Sequence, residues 1–314
     1  MKARAWLLAA LVVSSGFAGC GRNEKLPRVS LRKNIVRPVA DSQLREAPYR
    51  IAIAGMSSPS HATETYGPIM DYFTKKLGHP TRILLAHSYA DLNKMVGSGE
   101  AIGAFVCSGG YVDGRAQFGM ELVAAPTFHG EATYYCHIIV PEGSEANKLR
   151  DLQGKRFAFT DRDSNTGCQM PAYQVLKMGY RPESFFAKLI YTRNHDLAIA
   201  AVRDGIVDGA AVDNLIYEVA GRRDPRLTRE TKVIASYGPC ASPPVVVHPS
   251  APKEFKDSFK KVLLTMHLDP DGRRLLKSIA ADRFVEIQDS AYDSIRVMRR
   301  ETKAWTNRSR HGDR

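Results

Sequence analysis

The chain has no Cys-x-x-Cys pair, and its five cysteines fit no zinc-binding spacing. It also lacks a Gly-x-Ser-x-Gly elbow and a His-Glu-x-x-His helix, the signatures of one large hydrolase class and of many metalloproteases. No internal repeat is present, which sets aside solenoids. Beyond the N-terminus no apolar run approaches the roughly 20 residues of a membrane span. Acidic residues are outnumbered, 33 against 45 basic, for a formal net charge of +12. The Lys and Arg residues are scattered, so the charge reads as a diffuse field for small anions or anionic lipid rather than a nucleic-acid groove. A hydrophobic fraction of 44% with 25% charged residues is ordinary for a globular protein.

What is present begins with an address. Lys2 and Arg4 precede a short apolar stretch over residues 5–13, followed by small residues and then Gly16-Phe17-Ala18-Gly19-Cys20. This reads as a secretory signal over residues 1–19. The cysteine after Ala18-Gly19 resembles the bacterial lipobox, with Phe17 where Leu is usual, and implies a lipid on Cys20. Plain secretion with nearby cleavage is the alternative. A lipid would hold the protein at a periplasmic or cell-surface membrane without a spanning helix. Residues 20–48 carry Pro27, Pro38 and Pro48 and no sustained period, as a tether does. Without Lys2 and Arg4 the net charge falls from +12 to +10. Cys107, Cys136, Cys168 and Cys240 remain, either as two disulfides or as buried thiols.

The remaining roughly 260 residues suit one large domain or two lobes. Strand and helix patterns alternate. Strands are predicted at residues 50–54, 82–85, 102–106, 122–125, 134–140, 157–159, 189–191 and 209–212. Helices are predicted between them, ending at Gly78 and Gly97, after Gly167, and over residues 195–203, with a Gly109-Gly110 turn after the third strand. The rhythm argues an α/β fold with mostly parallel sheets. The run 134–140 carries the chain into a second unit, and Val245-Val246-Val247 reads as the return. Two crossovers make a two-lobed fold with a two-strand hinge and a cleft at the strand ends. The expected layout is a first lobe of residues 49–138 plus 241–306, a second lobe of 139–240, and a disordered tail of 307–314.

The most informative segment is Phe159-Thr160-Asp161-Arg162-Asp163-Ser164-Asn165-Thr166-Gly167. A strand runs into small polar residues and then a helix with Tyr173, Leu176 and Lys177. Free N–H groups at a helix start favour an anion. An ordinary N-cap is the plainer reading.

The order of motifs resembles the phosphate, phosphite and phosphonate substrate-binding proteins of ABC transporters. The resemblance covers residues 49–264. It is carried by Tyr66-Gly67-Pro68-Ile69, Ser88-Tyr89-Ala90-Asp91-Leu92, Leu149-Arg150-Asp151-Leu152-Gln153-Gly154-Lys155, the Asp161 to Gly167 turn, Asn194-His195-Asp196 and Val207-Asp208-Gly209. It implies a periplasmic-binding-protein-like fold and an anion site built from Ser164, Asn165 and Thr166, with His195 donating to a phosphoryl oxygen. Asn165 replaces the more usual hydroxyl residue. Tyr89 matches a cleft tyrosine, and Phe105 a second aromatic that lacks the hydroxyl of some relatives. Asp213 or Asn214 ends a strand beside the cleft, and Tyr111, Ser57 and Ser58 also follow strands towards it. No acid lies in Cys240-Ala241-Ser242-Pro243-Pro244, which points away from an amine-bearing ligand.

The implied function is lipid-anchored capture of a small phosphorus oxyanion, held by uncharged donors, for an ABC-transporter permease. The expected protein is a monomer with no metal, no other cofactor and no nucleic-acid partner. A sensor on the same fold, a structural lipoprotein and an enzyme using Cys168 at the helix start are the competing readings.

Overall fold

The computed structural model describes residues 47–311, with side chains through residue 303. The signal, Cys20 and the tether as far as residue 46 lie outside the described residues. β1 (Tyr49–Ile53) buries Ile51 and Ile53 and turns at Gly55. α1 (Pro59–Leu77) begins on a proline, whose missing N–H costs nothing in a first turn, and stops at Gly78 in the left-handed conformation. After β2 (Thr81–Leu85), Ser88 caps α2 (Tyr89–Gly97), its Oγ accepting the Asp91 N–H at 3.1 Å. β3 (Gly103–Phe105) then lies parallel to β1.

The next element is a helix, α3 (Ser108–Phe118), where the sequence suggested only a turn. Its glycines hide any apolar stripe, and tertiary contact explains one of them. A Cβ on Gly109 would sit 3.0 Å from the Asp163 carbonyl oxygen, so the bare backbone lets α3 meet the polar turn of the other lobe. β4 (Glu121–Thr127) leads into β5 (Thr133–Pro141). The whole of β5 pairs in the second sheet, so the crossing falls before Thr133 rather than after residue 138.

The second sheet continues with β6 (Arg156–Phe159), α4 (Met170–Lys177), α5 (Pro182–Phe185), β7 (Lys188–Tyr191), α6 (His195–Arg203) and β8 (Gly209–Asp213). α7 (Asn214–Arg223), α8 (Pro225–Arg229) and β9 (Thr231–Ala241) follow. β10 (Val245–Val247), α9 (Lys253–Thr265), α10 (Pro270–Ser278), β11 (Arg283–Val285) and α11 (Asp293–His311) complete the chain. α11 extends past Asn307, where the sequence suggested a tail.

The sheets run in the orders β11-β4-β10-β3-β1-β2 and β7-β6-β8-β5-β9. Each is parallel on one side and antiparallel on the other, so the expected parallel character holds for two of five pairings in the first sheet and two of four in the second. β4, β5, β9 and β10, which flank the crossovers, pair antiparallel, and β11 adds an antiparallel edge on β4. Ile51, Phe73, Val246 and Phe259 are among the core of the first lobe. Phe157, Val175 and Phe185 cover one face of the second sheet, and Ile199, Val202 and Val212 the other. Each such side chain contributes about 1.5–3 kcal/mol when fully buried. All four cysteines within these cores are free thiols.

α11 touches both lobes. Arg299 donates from Nε to Asp113 of α3 at 3.0 Å and from Nη1 to the Asp163 carbonyl at 3.5 Å, while Thr302 donates to Gln169 at 3.0 Å. Replacing Arg299 with Ala removes its charge-assisted bond to Asp113. The expected cost is about 1.5–3 kcal/mol, typical of a lost hydrogen bond to a charged group, read as a lower urea midpoint with an unchanged slope.

Candidate functional site

The polar turn does not present its N–H groups to open solvent. The Asn165 N–H donates to Cys107 Sγ at 3.4 Å, and the Gly167 N–H to Ser164 Oγ at 3.0 Å. Its first turn is a π-helix, Asn165–Gln169, feeding α4. The expectation of free N–H groups there is therefore corrected for these two residues: a thiol from the first lobe and the turn's own serine satisfy them. Asp161 holds the turn from beneath, accepting the Asp163 N–H at 2.8 Å and the Tyr89 N–H at 3.2 Å. Gly167 is obligatory on steric grounds, since a Cβ would lie 1.8 Å from Thr160 Oγ1 and 2.9 Å from His195 Cε1.

His195 stands at the start of α6, fully buried. Its Nδ1 accepts the Asp213 backbone N–H at 3.0 Å, and its Nε2 lies 3.4 Å from Ser164 Oγ. The accepting role of Nδ1 places the ring proton on Nε2. Burial holds the histidine pKa down at about 4, so the ring is a neutral donor at physiological pH. Asp213 ends β8 and caps α7, its Oδ1 accepting the Leu215 N–H at 2.8 Å. Burial raises its pKa to about 7, against the pull of those amides. Ser164, His195 and Asp213 do not form a Ser-His-Asp triad. In a triad Nδ1 donates to the carboxylate and Nε2 takes the serine proton, and here both roles are reversed.

Tyr89 brings its hydroxyl beside Ser164 and is fully covered. Among the described residues, Tyr89 Oη, Thr160 Oγ1, Asn165 Oδ1 and Thr166 Oγ1 are buried side-chain atoms with no hydrogen-bond partner. Such atoms are rare, and a group of them at one place calls for an explanation. Asn165 Nδ2 donates one of its two hydrogens to Tyr134 Oη at 2.9 Å, while its acceptor Oδ1 has no partner.

Phe105 sits apart from this cluster. It lines a cavity of about 400 Å³ between the lobes, together with Asp213, Tyr66 and Ser57. Tyr66 meets Phe105 edge to face at 5.3 Å, and burial with the Asp213 charge raises its phenol to about 12. Sequence reasoning gave Tyr66 no site role, although it stands in the Tyr66-Gly67-Pro68-Ile69 motif. Thr160 lay in the polar turn segment without being singled out, and Cys107 was missed for want of any local signal. Tyr111 is not at the cleft: it is buried, donating to Asp289 at 2.6 Å. Asn214 accepts the Tyr135 N–H at 2.7 Å, which leaves Asp213 as the acid of that pair. Ser58 gives its N–H to Asp196 at 3.1 Å.

The lobes are joined across the cleft. Asn194 donates to the carbonyls of Gly55 at 2.8 Å and Ser57 at 3.1 Å, and the His195 N–H to Met56 at 2.9 Å. Cys168 lies in the second core, and burial pushes its thiol well above the ordinary range. Burial of this kind works against a thiolate there. Among the described residues no group of three or more His, Cys, Asp or Glu is placed to hold a metal ion, and no helix is long and apolar enough to cross a membrane.

Two titrations follow with opposite sign. Asp213 has a folded pKa above its unfolded value, so its cost to stability appears as pH rises from about 4 to about 7 and persists above. Asp213→Asn keeps the cap and removes the charge, so its melting temperature should gain on the native protein between pH 5 and pH 8. A constant difference across that range would refute the shift. His195 has a folded pKa below its unfolded value, so stability falls as pH drops from about 6.5 to about 4. His195→Gln should lose that acid-side dependence in the same melts.

The family of periplasmic substrate-binding proteins of ABC phosphonate transporters matches residues 51–292. A probable ABC transporter phosphite-binding protein of Prochlorococcus marinus (strain MIT 9301) is 24% identical over 158 residues, 48% of this chain and 53% of the relative. The matched region thus spans about half the length of that curated relative. Among solved structures, a binding-protein component of an ABC phosphonate transporter from Pseudomonas aeruginosa superposes with a TM-score of 0.77 at 18% identity, covering 86% of this chain and 90% of the other. A Prochlorococcus marinus (MIT 9301) protein in complex with methylphosphonate gives 0.75 at 17% identity, covering 81% and 97%. These two likenesses bear on the fold, which is that of two-lobed periplasmic binding proteins. With more than half of its length matched, the chain belongs to the family of periplasmic phosphonate-binding proteins of ABC transporters.

Proposed function

We propose that the protein captures a phosphorus oxyanion (phosphate, phosphite or a simple phosphonate) between its lobes and delivers it to an ABC-transporter permease. The observation that carries this reading is the set of buried, unpartnered polar atoms around His195: Tyr89 Oη, Thr160 Oγ1, Asn165 Oδ1 and Thr166 Oγ1. Three of these are hydroxyls able to donate, and the neutral Nε2–H of His195 adds another donor. Hydrogen bonds to an ionised acceptor are the strong ones, so convergent neutral donors can hold an oxyanion without lysine or arginine. Asn165 Oδ1 is an acceptor and suits a P–OH proton, which favours the monoprotonated ligand. Below about pH 7 the Asp213 carboxyl can donate as well.

The role is capture without a chemical step, and Cys168 takes no part in it. Cys20 carries the lipid that keeps the receptor near its permease, and the protein acts as a monomer. The likeness to a phosphite-binding protein and to one in complex with methylphosphonate supports the ligand class.

Titration calorimetry of the full-length protein in detergent, freed of ligand, against phosphate, phosphite and methylphosphonate tests the proposal. At least one should bind with micromolar or better affinity. His195→Ala and Ser164→Ala should each weaken it tenfold or more, the size of a lost charge-assisted bond. No heat with any of the three, from a protein that melts cooperatively, would sink the reading. Cys20→Ser should shift the protein from the detergent phase to the aqueous phase if the cysteine carries lipid.

A further inference from the structure

The cavity beside the polar cluster has a character that a bare phosphate does not explain. At about 400 Å³ it falls in the range of sites for organic ligands. A phosphonate head group occupies on the order of two or three water volumes, at about 30 Å³ each. Phe105, Phe128, Ile216, Val219, Ile279 and Phe284 face the rest of the space. An oxyanion placed against these side chains would lose its hydration without replacement, which is costly. The wall residue that leads towards the polar cluster is Asp213, whose N–H bonds to His195, itself 3.4 Å from Ser164 Oγ, so an oxyanion belongs at that end.

The charged groups in the wall are already engaged within the protein. Asp196 pairs with His61 at 3.0 Å and accepts the Ser58 N–H. Arg223 pairs with Glu64. Asp224 pairs with Arg226 at 2.8 Å. No wall cation is left to meet a second acidic group on a ligand. Apart from Asp213, whose carboxyl is held by the amides at the start of α7, no wall acid is left to meet an amine.

We infer that the cavity takes the organic substituent of the ligand, and that the preferred ligand is a phosphonate bearing an uncharged apolar group of several carbons, alkyl or aryl. This inference rests on the oxyanion reading and adds the class of substituent. The head group lies at the Ser164 and His195 end, and the substituent lies between α1 and α7, which belong to different lobes. Closure then buries apolar surface as well as the anion, so each added buried methylene strengthens binding.

The test is calorimetry of the full-length protein in detergent with methylphosphonate, n-butylphosphonate, phenylphosphonate, 2-aminoethylphosphonate and phosphonoacetate. Phenylphosphonate or n-butylphosphonate should bind at least tenfold more tightly than methylphosphonate, and the charged pair more weakly than either. Val219→Phe, which fills the cavity from α7, should remove that advantage while leaving methylphosphonate affinity within about threefold. Ile279→Trp fills it from the opposite wall and should act alike, which covers the case in which one variant fails to fold. Methylphosphonate binding as tight as the larger apolar ligands, or 2-aminoethylphosphonate or phosphonoacetate binding tightest, would overturn the inference and leave the oxyanion reading standing. Silence with every phosphonate would instead remove the oxyanion reading on which it rests.

Discussion

The backbone N–H of Asp213 donates to Nδ1 of His195, and the character of the site depends on that bond. It ties the end of β8 to the start of α6 and so fixes where the imidazole sits. It also fixes where the proton sits, because a nitrogen that accepts an amide carries none of its own. With the ring buried and neutral, Nε2 becomes a permanent donor aimed at the Ser164 side. The same residue whose N–H orients the histidine presents a carboxyl that burial keeps close to neutral. In the proposed oxyanion role such a site needs no formal positive charge, and discrimination would pass from charge to the number and direction of donors.

This arrangement also separates two kinds of chemistry along one cleft. Polar atoms without partners gather around the Ser164 to Gly167 turn, and apolar side chains line the space beyond Asp213. Neither zone would serve alone. The polar zone is too well covered to admit a large group, and the apolar zone gives an oxyanion nothing to bond with. The lobes meet through Asn194, His195 and the Gly55 to Ser58 turn, so both zones border the surfaces where the lobes meet.

Much of the architecture was legible because local signals and tertiary structure agree. Ser88 before Tyr89 and Gly78 after Leu77 act as caps, and the apolar runs around Ile51 and Phe157 form strands at the expected places. Disagreement followed where distant contacts decide. α3 has glycines at 109, 110 and 114 and no apolar face, so nothing local announces a helix. β9 escaped notice because Gly238-Pro239 interrupts it in sequence, although Cys240 and Tyr237 still pair with β5. At the site, Ser164, Thr166, His195, Asp213 and Tyr89 do come together. The fate of individual hydrogens was not legible, since the Cys107 thiol that takes the Asn165 N–H arrives from another lobe. The bond from the Asn165 amide to Tyr134, on a crossover strand, was hidden for the same reason.

Arg299 lies where α11 meets both lobes, reaching Asp113 on one side and the Asp163 carbonyl on the other. Parting the lobes draws these two partners away from each other, and one of them must release the guanidinium. The work of opening therefore includes an ionic component that lies outside the ligand site altogether. Mobile ions screen such a contact as it becomes wetted. If the protein is the oxyanion receptor proposed above, the residence time of its ligand would thereby acquire a dependence on the ionic strength of the compartment, even though the proposed ligand-holding groups are neutral.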